Sequence, residues 1–227
     1  MATCIIVALI AYLIGSINFS IIISKNQYIY ASFCQKKKSK KMAGFDIREK
    51  GSGNAGTTNM LRAVGKKAAV ITLICDILKG VVSILIAVLA GKIVKNLDNA
   101  LLVQLAGIFV IIGHTFPVFF KFKGGKGIAT ALGVLLMINW QIGLICLIFA
   151  LVLMALTKMV SVGSIAAAIL FPILVAFIDQ NYIVQTSNSN WSYLVFSIIV
   201  ALLVIFNHRA NVQRILNGTE NRLSFKK

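Results

Sequence analysis

Long apolar runs dominate this sequence, and they constrain the fold more than any other feature. Residues 4–23 are almost continuously apolar, and comparable runs recur as far as residue 206. A helix of about 20 apolar residues crosses the ~30 Å hydrocarbon core of a bilayer. The chain is 59% hydrophobic and only 13% charged, whereas soluble domains carry about 25% charged residues. We therefore predict an all-α, polytopic integral membrane protein, with residues 1–227 forming a single domain.

Basic residues predict the orientation of this chain in the membrane. There are 23 Lys and Arg residues against six Asp and Glu, a net charge of +17, and 11 of the 23 lie between residues 24 and 67. Cytoplasmic loops carry an excess of Lys and Arg, so we predict that this segment is cytoplasmic and the N-terminus external. In a membrane protein, such charge favours anionic lipids and anionic substrates over nucleic acid.

The apolar run at residues 128–157 decides the number of spans. As one helix of 30 residues it would measure about 45 Å, too long for the hydrocarbon core, and it would place the basic C-terminus outside. A break near Asn139 resolves both problems. Seven helices with a cytoplasmic C-terminus are then predicted, at residues 4–23, 68–90, 100–120, 128–138, 142–157, 160–178 and 193–206. Because the fourth and seventh are short, five spans with re-entrant segments remain the alternative.

Acidic residues and cysteines are too scattered to predict a metal site or a disulfide framework. We expect no metal and no cofactor. Asp76 and Lys79 lie within the second predicted span, three residues apart, and therefore share a helix face. We expect this pair to brace neighbouring helices, although it could also border a polar site.

Three polar clusters fall on the predicted cytoplasmic side, at residues 51–62, 113–130 and 207–220. Glycines in the first two leave backbone N–H groups accessible to anions, and a helix beginning near Ile128 would direct its positive dipole end at the second. The first cluster matches G-x-G-x-x-G, but no strand precedes it, which argues against a dinucleotide fold. Lys126 lacks the following Ser or Thr of a Walker A loop. The alternative is that these are connecting loops whose cations face anionic lipid.

The only two histidines, His114 and His208, each lie at the cytoplasmic end of a predicted span. Without nearby carboxylates or thiols they form a poor metal set. Each could orient a substrate or transfer a proton, or simply cap a helix.

Taken together, the three clusters resemble the bacterial integral-membrane glycerol-3-phosphate acyltransferases that use acyl phosphate, the PlsY family. The resemblance covers nearly the whole chain and includes Gly15 and Ser16 in the first span and Asp76, Lys79 and Gly80 in the second. It implies a seven-helix protein of the bacterial cell membrane that acylates the 1-hydroxyl of glycerol 3-phosphate, releasing lysophosphatidic acid and phosphate. Glycerol 3-phosphate, acyl phosphate and membrane lipids are the expected partners, and an enzyme that makes acyl phosphate is a further candidate.

The residues and the resemblance together give two sets of expected site residues. The catalytic set comprises Ser52, Arg62, His114, Lys126, His208 and Glu220. The substrate-binding set comprises Gly53, Asn54, Asn59, Gly124, Gly125, Gly127, Thr130, Ser161, Ser164, Asn211 and Arg214. The two serines are assigned by resemblance alone, as a pair that precedes the third motif.

Acyl phosphate is already activated, so the protein mainly has to hold two anions and stabilise charge on the carbonyl oxygen. We expect Arg62 and Lys126 to neutralise the two phosphates, and Ser52 and Asn54 with nearby amides to contact the oxyanion. Direct attack needs no acyl-enzyme. The base stays open between His114, His208, Glu220 and a phosphate oxygen of the substrate.

The sequence departs from the family pattern at three places. Ala55 and Asn18 stand where the family usually has proline, and a lysine-rich insertion occupies residues 26–42. The main alternative function is a transporter for an organic phosphate, but polar groups confined to one face argue against a midplane site. An acyltransferase with a His-x-x-x-x-Asp pair is excluded, because Phe119 and Gln213 occupy the aspartate positions.

Overall fold

The computed structural model describes residues 1–26, 44–94, 98–178, 184 and 189–223, and these contain helices and no strand. Except for Asn26, the predicted insertion at 26–42 lies outside the described residues. The helices are α1 (Ala2–Ser16), α2 (Phe19–Lys25), α3 (Thr57–Ala63), α4 (Lys66–Ile93), α5 (Asn99–Thr115), α6 (Ile128–Ile138), α7 (Trp140–Thr157), α8 (Val160–Phe177), α9 (Ser189–Asn207) and α10 (Arg209–Leu216). Short 3-10 helices lie at Ile47–Glu49 and Val118–Phe120.

Within the described part of the chain, six helical segments are long and apolar enough to span a membrane, and α6 is a shorter apolar helix. The predicted all-α, multi-span architecture is therefore confirmed. The predicted break in the run 128–157 is also present at Asn139, whose side chain accepts a hydrogen bond from the backbone N–H of Ile142 at 3.1 Å and so caps α7. The orientation of the termini, and whether α6 crosses the membrane, stay predictions.

The first span differs from the single helix that we expected over residues 4–23. Helix α1 ends at Ser16, and Asn18 begins α2 by accepting a hydrogen bond from Ile21 N at 3.2 Å. Asn18 also donates to the carbonyl oxygen of Ala55 at 3.4 Å. The break leaves carbonyl groups of α1 without helical partners, which is costly inside a membrane protein unless other donors reach them.

Lys79 supplies those donors. Its Nζ atom donates to the carbonyl oxygens of Gly15 and Ile17, each at 3.0 Å, and pairs with Asp76 Oδ1 at 2.9 Å. The side chains of Lys79 and Asp76 are buried, at 4% and 1% exposed; the bond to Gly15 is buried and the bond to Ile17 is partly buried. Asp76 and Lys79 therefore join α4 to the broken first span, which is the bracing role that we expected.

Glycines allow the closest helix contacts near the polar end of the bundle. A Cβ atom on Gly113 of α5 would meet backbone atoms of Tyr12 and Ser16 in α1, and one on Gly80 of α4 would meet the backbone of α6. Helices α1, α4, α5 and α6 therefore pack backbone to backbone, which fixes the ends from which the polar loops emerge.

Candidate active site

Glu220 lies at the centre of the third cluster. Its Oε1 atom accepts hydrogen bonds from Ser161 Oγ at 2.7 Å and Asn211 Nδ2 at 2.6 Å, and its Oε2 atom accepts one from Arg214 Nε at 2.9 Å. The other end of the Asn211 amide accepts a hydrogen bond from Lys126 Nζ. Five residues that we predicted from three separate parts of the chain are thus connected in one network.

This network carries excess positive charge. Burial lowers the pKa of Lys126 to about 8; the negative charge of Glu220 opposes this shift, while the positive charges of Arg214 and Arg62 reinforce it. Burial disfavours ionisation of Glu220, but hydrogen bonds from its three donors outweigh that effect and lower its pKa. Arg214 thus binds the ionised carboxylate of Glu220, while the positive charges of Arg214 and Arg62 both act on Lys126. Such a region favours anionic ligands.

His208 lies between α9 and α10 and is 2% exposed. Its Nδ1 atom is 2.8 Å from the carbonyl oxygen of Val204, which can only accept, so Nδ1 carries the proton and Nε2 is left as an acceptor. Burial, with the charge of Lys126, lowers the pKa of His208 to about 4. The imidazole is therefore neutral at pH 7.

The side-chain amide of Asn59 holds the loop of the first cluster in place through three hydrogen bonds. It is 1% exposed, accepts from the backbone N–H of Ser52 at 2.9 Å, and donates to the carbonyl oxygens of Ile47 and Lys50 at 3.0 and 2.9 Å. We predicted that Asn59 binds substrate, but these bonds commit its amide to shaping the loop. Ser52 and Gly53 are exposed on that loop, and Asn54 is half-buried.

The glycines of the second cluster allow the first two clusters to meet. The N–H groups of Gly124 and Gly125 donate to the carbonyl oxygens of Thr115 and His114 at 3.0 and 3.1 Å. A Cβ atom on Gly125 would lie 2.5 Å from the carbonyl oxygen of Ala55. Only glycine therefore allows this backbone to pass between the first cluster and α5.

Gly127 begins α6 with φ at +80°, and Lys126 immediately precedes it. The dipole of α6 therefore has its positive end beside Lys126, as predicted. Thr130, in the first turn of α6, is completely buried, and its hydroxyl has no hydrogen-bond partner among the residues that the structure describes.

His114 and Ser164, two further predicted site residues, make their own contacts outside the Glu220 network. His114 is 3% exposed, and its Nδ1 atom is 3.5 Å from Asp76 Oδ1, next to the Asp76–Lys79 pair within the bundle. Ser164 donates to the carbonyl oxygen of Val160 at 3.0 Å.

Ser164 also lines a cavity of about 110 Å³ between α6, α7, α8 and α9. The rest of its lining is apolar and includes Ala131, Leu147, Ala168 and Val204. Because Ser164 lies one helical turn from Ser161, the cavity begins close to the Glu220 network.

Sequence reasoning missed two contributors. Asn207 donates to Thr115 Oγ1 at 3.1 Å and to the carbonyl oxygen of Lys126 at 3.4 Å, which joins α9 to the second cluster. Arg48 binds the carbonyl oxygens of Phe120 and Lys123 at 2.8 and 3.0 Å. The position of Asn207 at a span end was a usable signal, but nothing in the sequence near Arg48 predicted its contacts.

Within the described ranges, no group of three or more His, Cys, Asp or Glu residues could hold a metal ion. The arrangement can bind anions, place a neutral imidazole beside them and receive an apolar chain. These are the elements of a transfer reaction between phosphorylated and lipidic molecules.

Comparison with known proteins agrees with this chemistry. The family model described as glycerol-3-phosphate acyltransferase matches residues 5–218. Relatives of that name include one from Clostridioides difficile (strain 630), 40% identical over 98% of this chain and 97% of its own length, and one from Thermoanaerobacter sp. (strain X514), 43% identical over 98% and 96%.

Solved structures of PlsY, described as an integral membrane glycerol 3-phosphate acyltransferase, have the same fold. Its glycerol 3-phosphate form aligns with a TM-score of 0.78 and 35% identity, covering 97% of this chain and 96% of that one. Its lysophosphatidic acid form aligns with a TM-score of 0.77 and 34% identity, covering 97% and 95%. This chain belongs to the glycerol-3-phosphate acyltransferase family.

Proposed function

We propose that this protein transfers a fatty acyl group from acyl phosphate to the 1-hydroxyl of glycerol 3-phosphate, releasing lysophosphatidic acid and inorganic phosphate. Membership of the family supports glycerol 3-phosphate as the acceptor. The observation that carries the proposal is the network in which Lys126 and Arg214 are joined through Asn211 and Glu220, with the positive charge of Arg62 also acting on Lys126. Both proposed substrates carry phosphate, so the site has to neutralise two anions at once.

In the proposed reaction, a new bond forms between the substrate hydroxyl oxygen and the acyl carbon. The bond from that carbon to the phosphate oxygen breaks, and phosphate leaves with the bonding electrons. Lys126 and Arg62 neutralise the two phosphates, and Ser52 and Asn54 with nearby amides contact the carbonyl oxygen as its charge grows. No acyl-enzyme and no cofactor are needed.

The contacts narrow the choice of base. Glu220 already accepts from three donors and has a lowered pKa. His208 is neutral with Nε2 available as an acceptor, and His114 faces Asp76 through Nδ1 and Gly125 through Nε2. We therefore assign the hydroxyl proton to His114, His208 or a phosphate oxygen of the substrate.

The apolar cavity beside Ser164 supports a lipidic substrate, because it offers an acyl chain a path from the polar network between α6 and α9.

We propose that the site opens to the cytoplasmic side of the bacterial cell membrane, that residues 1–227 form one domain, and that a separate enzyme in the cell supplies acyl phosphate. The basic segments on the predicted cytoplasmic side support this orientation.

The contacts of Asp76 and Lys79 weaken the transporter alternative. A midplane site needs polar groups that are free to bind cargo, whereas Lys79 already donates to two carbonyl oxygens and pairs with Asp76. These groups stabilise the bundle where a transporter would use them for its cargo.

The donor is tested by incubating purified protein in phospholipid vesicles with glycerol 3-phosphate and one of three donors. These are palmitoyl phosphate, palmitoyl-CoA and palmitoyl-acyl carrier protein. We expect lysophosphatidic acid from palmitoyl phosphate alone, with one inorganic phosphate released per product. Product from either thioester at a comparable rate would contradict the proposed donor.

A further inference from the structure

Arg48 links two loops that are far apart in the sequence. Its Nε and Nη2 atoms bind both oxygens of Asp46, at 2.9 and 2.7 Å, in a bidentate pair. Its Nη1 atom reaches across to the second cluster and donates to the carbonyl oxygens of Phe120 and Lys123, at 2.8 and 3.0 Å. One guanidinium thus connects the approach to the first cluster with the loop that leads to Lys126.

The two carbonyl groups that Arg48 holds flank a strained turn. Between them lie Lys121 and Phe122, both with φ at 57°, in the left-handed region that side chains other than glycine rarely adopt. Such residues persist only where the surroundings hold them in place. Gly124 follows this turn directly, so the conformation of the turn determines where the second cluster begins.

Asp46 fixes Arg48 from the other side. It forms an ion pair with Lys25 Nζ at 2.9 Å, and Phe45 N donates to the carbonyl oxygen of Ser24 at 2.9 Å, which joins this segment to α2. The Arg48 guanidinium holds the pKa of Asp46 well below its usual range, so this carboxylate stays charged at every pH at which the protein would be assayed.

We propose that Arg48 is a positioning residue, which holds the Lys121–Phe122 turn and thereby sets the second cluster and Lys126 for binding glycerol 3-phosphate. This inference rests on the proposed function for its substrate, but its geometric part does not depend on it. Arg48 acts through backbone carbonyl groups of the loop. Its removal should therefore affect the substrate bound by that loop more than the other substrate.

The first test separates the two substrates. We expect Arg48→Ala to raise KM for glycerol 3-phosphate about tenfold, because hydrogen bonds from a charged group each contribute on the order of a tenfold change in an equilibrium. In the same variant, KM for palmitoyl phosphate should change by less than about twofold. Arg48→Lys should recover part of the effect, since one ammonium can still bind Asp46 and one carbonyl group. The exposed Arg222→Ala variant is the control for loss of an arginine.

The second test asks whether Arg48 acts on the strained turn. Glycine adopts a positive φ without strain, so adding Lys121→Gly to Arg48→Ala should restore much of the affinity for glycerol 3-phosphate. Lys158 provides a matched control, because it is also a lysine with φ at 59°, but it lies at the end of α7. Adding Lys158→Gly should restore nothing. Equal rescue by both glycines would overturn the proposal.

A third readout is independent of activity. The amide groups of Phe122, Gly124 and Gly125 donate to Pro117, Thr115 and His114, and we expect their hydrogen exchange to accelerate in Arg48→Ala and not in Arg222→Ala. If the wild-type protein transfers no acyl group but hydrogen exchange still accelerates in Arg48→Ala, the proposed function is rejected and the positioning role of Arg48 is kept. Unchanged exchange and unchanged KM in Arg48→Ala would reject that role. Should Arg48→Ala fail to fold, Arg48→Lys gives the same comparison.

Discussion

Replacing Glu220 with glutamine should change both the rate and the pH dependence of the reaction. The carboxylate accepts hydrogen bonds from Ser161, Asn211 and Arg214, and its charge raises the pKa of Lys126 against the effect of burial. Glutamine has nearly the same shape. It can still accept from Ser161 and Asn211, but its NH₂ group would face the Arg214 donor.

The structure gives an estimate of each effect. Losing one hydrogen bond between charged groups costs about 1.5–3 kcal/mol, which is roughly a 10- to 150-fold loss in kcat/KM. Removing a negative charge one side chain away from Lys126 removes roughly 1–2 kcal/mol at an effective dielectric constant near 20, which is about one pKa unit. The pKa of Lys126, about 8 in the unmodified protein, should therefore fall towards neutrality.

The assay is kcat/KM for glycerol 3-phosphate as a function of pH, since this parameter reports groups of the free enzyme. Lys126 binds phosphate only when protonated, so kcat/KM should fall as pH rises above about 8. In Glu220→Gln the fall should begin at lower pH. Glu49→Gln is the control, because Glu49 is exposed and its loss should leave the profile unchanged. An alkaline limb at the same pH in Glu220→Gln would refute the coupling of Glu220 to Lys126.

Three further predictions concern packing. Gly125→Ala should reduce kcat/KM more than about 100-fold, because its Cβ would collide with the Ala55 carbonyl oxygen; near-normal kinetics would contradict this. Ala168→Phe should fill the apolar cavity and slow transfer from palmitoyl phosphate more than from octanoyl phosphate; equal slowing would place the acyl chain elsewhere. Lys79→Met should destabilise the protein by about 3–5 kcal/mol by leaving Asp76 unpaired, and Asp76→Leu with Lys79→Met by less; thermal unfolding in detergent measures both, and equal losses would contradict the bracing role.

The sequence predicted the features that follow from length, charge and composition. The break at Asn139 was predictable because one helix would be too long for the bilayer and would place basic residues on the wrong side. The three polar clusters on the predicted cytoplasmic side indicated that Lys126, Asn211 and Glu220 would lie close together. In each case a bilayer reduces the possible arrangements to a few.

Other features depend on contacts that a linear sequence does not contain. The break before Asn18 interrupts a continuous apolar run, and it is tolerated because Lys79, more than 60 residues later, donates to the carbonyl groups that the break leaves without helical partners. In the sequence, Asn59 resembled a substrate-binding residue. Its buried hydrogen bonds to Ile47 and Lys50 form only in the folded loop, so the sequence did not indicate them. Arg48 was missed for the same reason.

Acyl transfer to labelled glycerol 3-phosphate from palmitoyl phosphate, by purified protein in vesicles, tests whether this protein uses acyl phosphate and whether Lys126 belongs to its phosphate site. Lys126→Ala and Lys92→Ala should be measured beside the unmodified protein. Lys92→Ala is the control, because Lys92 is an exposed lysine in the last turn of α4. We predict labelled lysophosphatidic acid from the unmodified protein and Lys92→Ala, and a loss of at least about 100-fold in Lys126→Ala. Absence of product from folded, unmodified protein, or full activity in Lys126→Ala, would contradict the account.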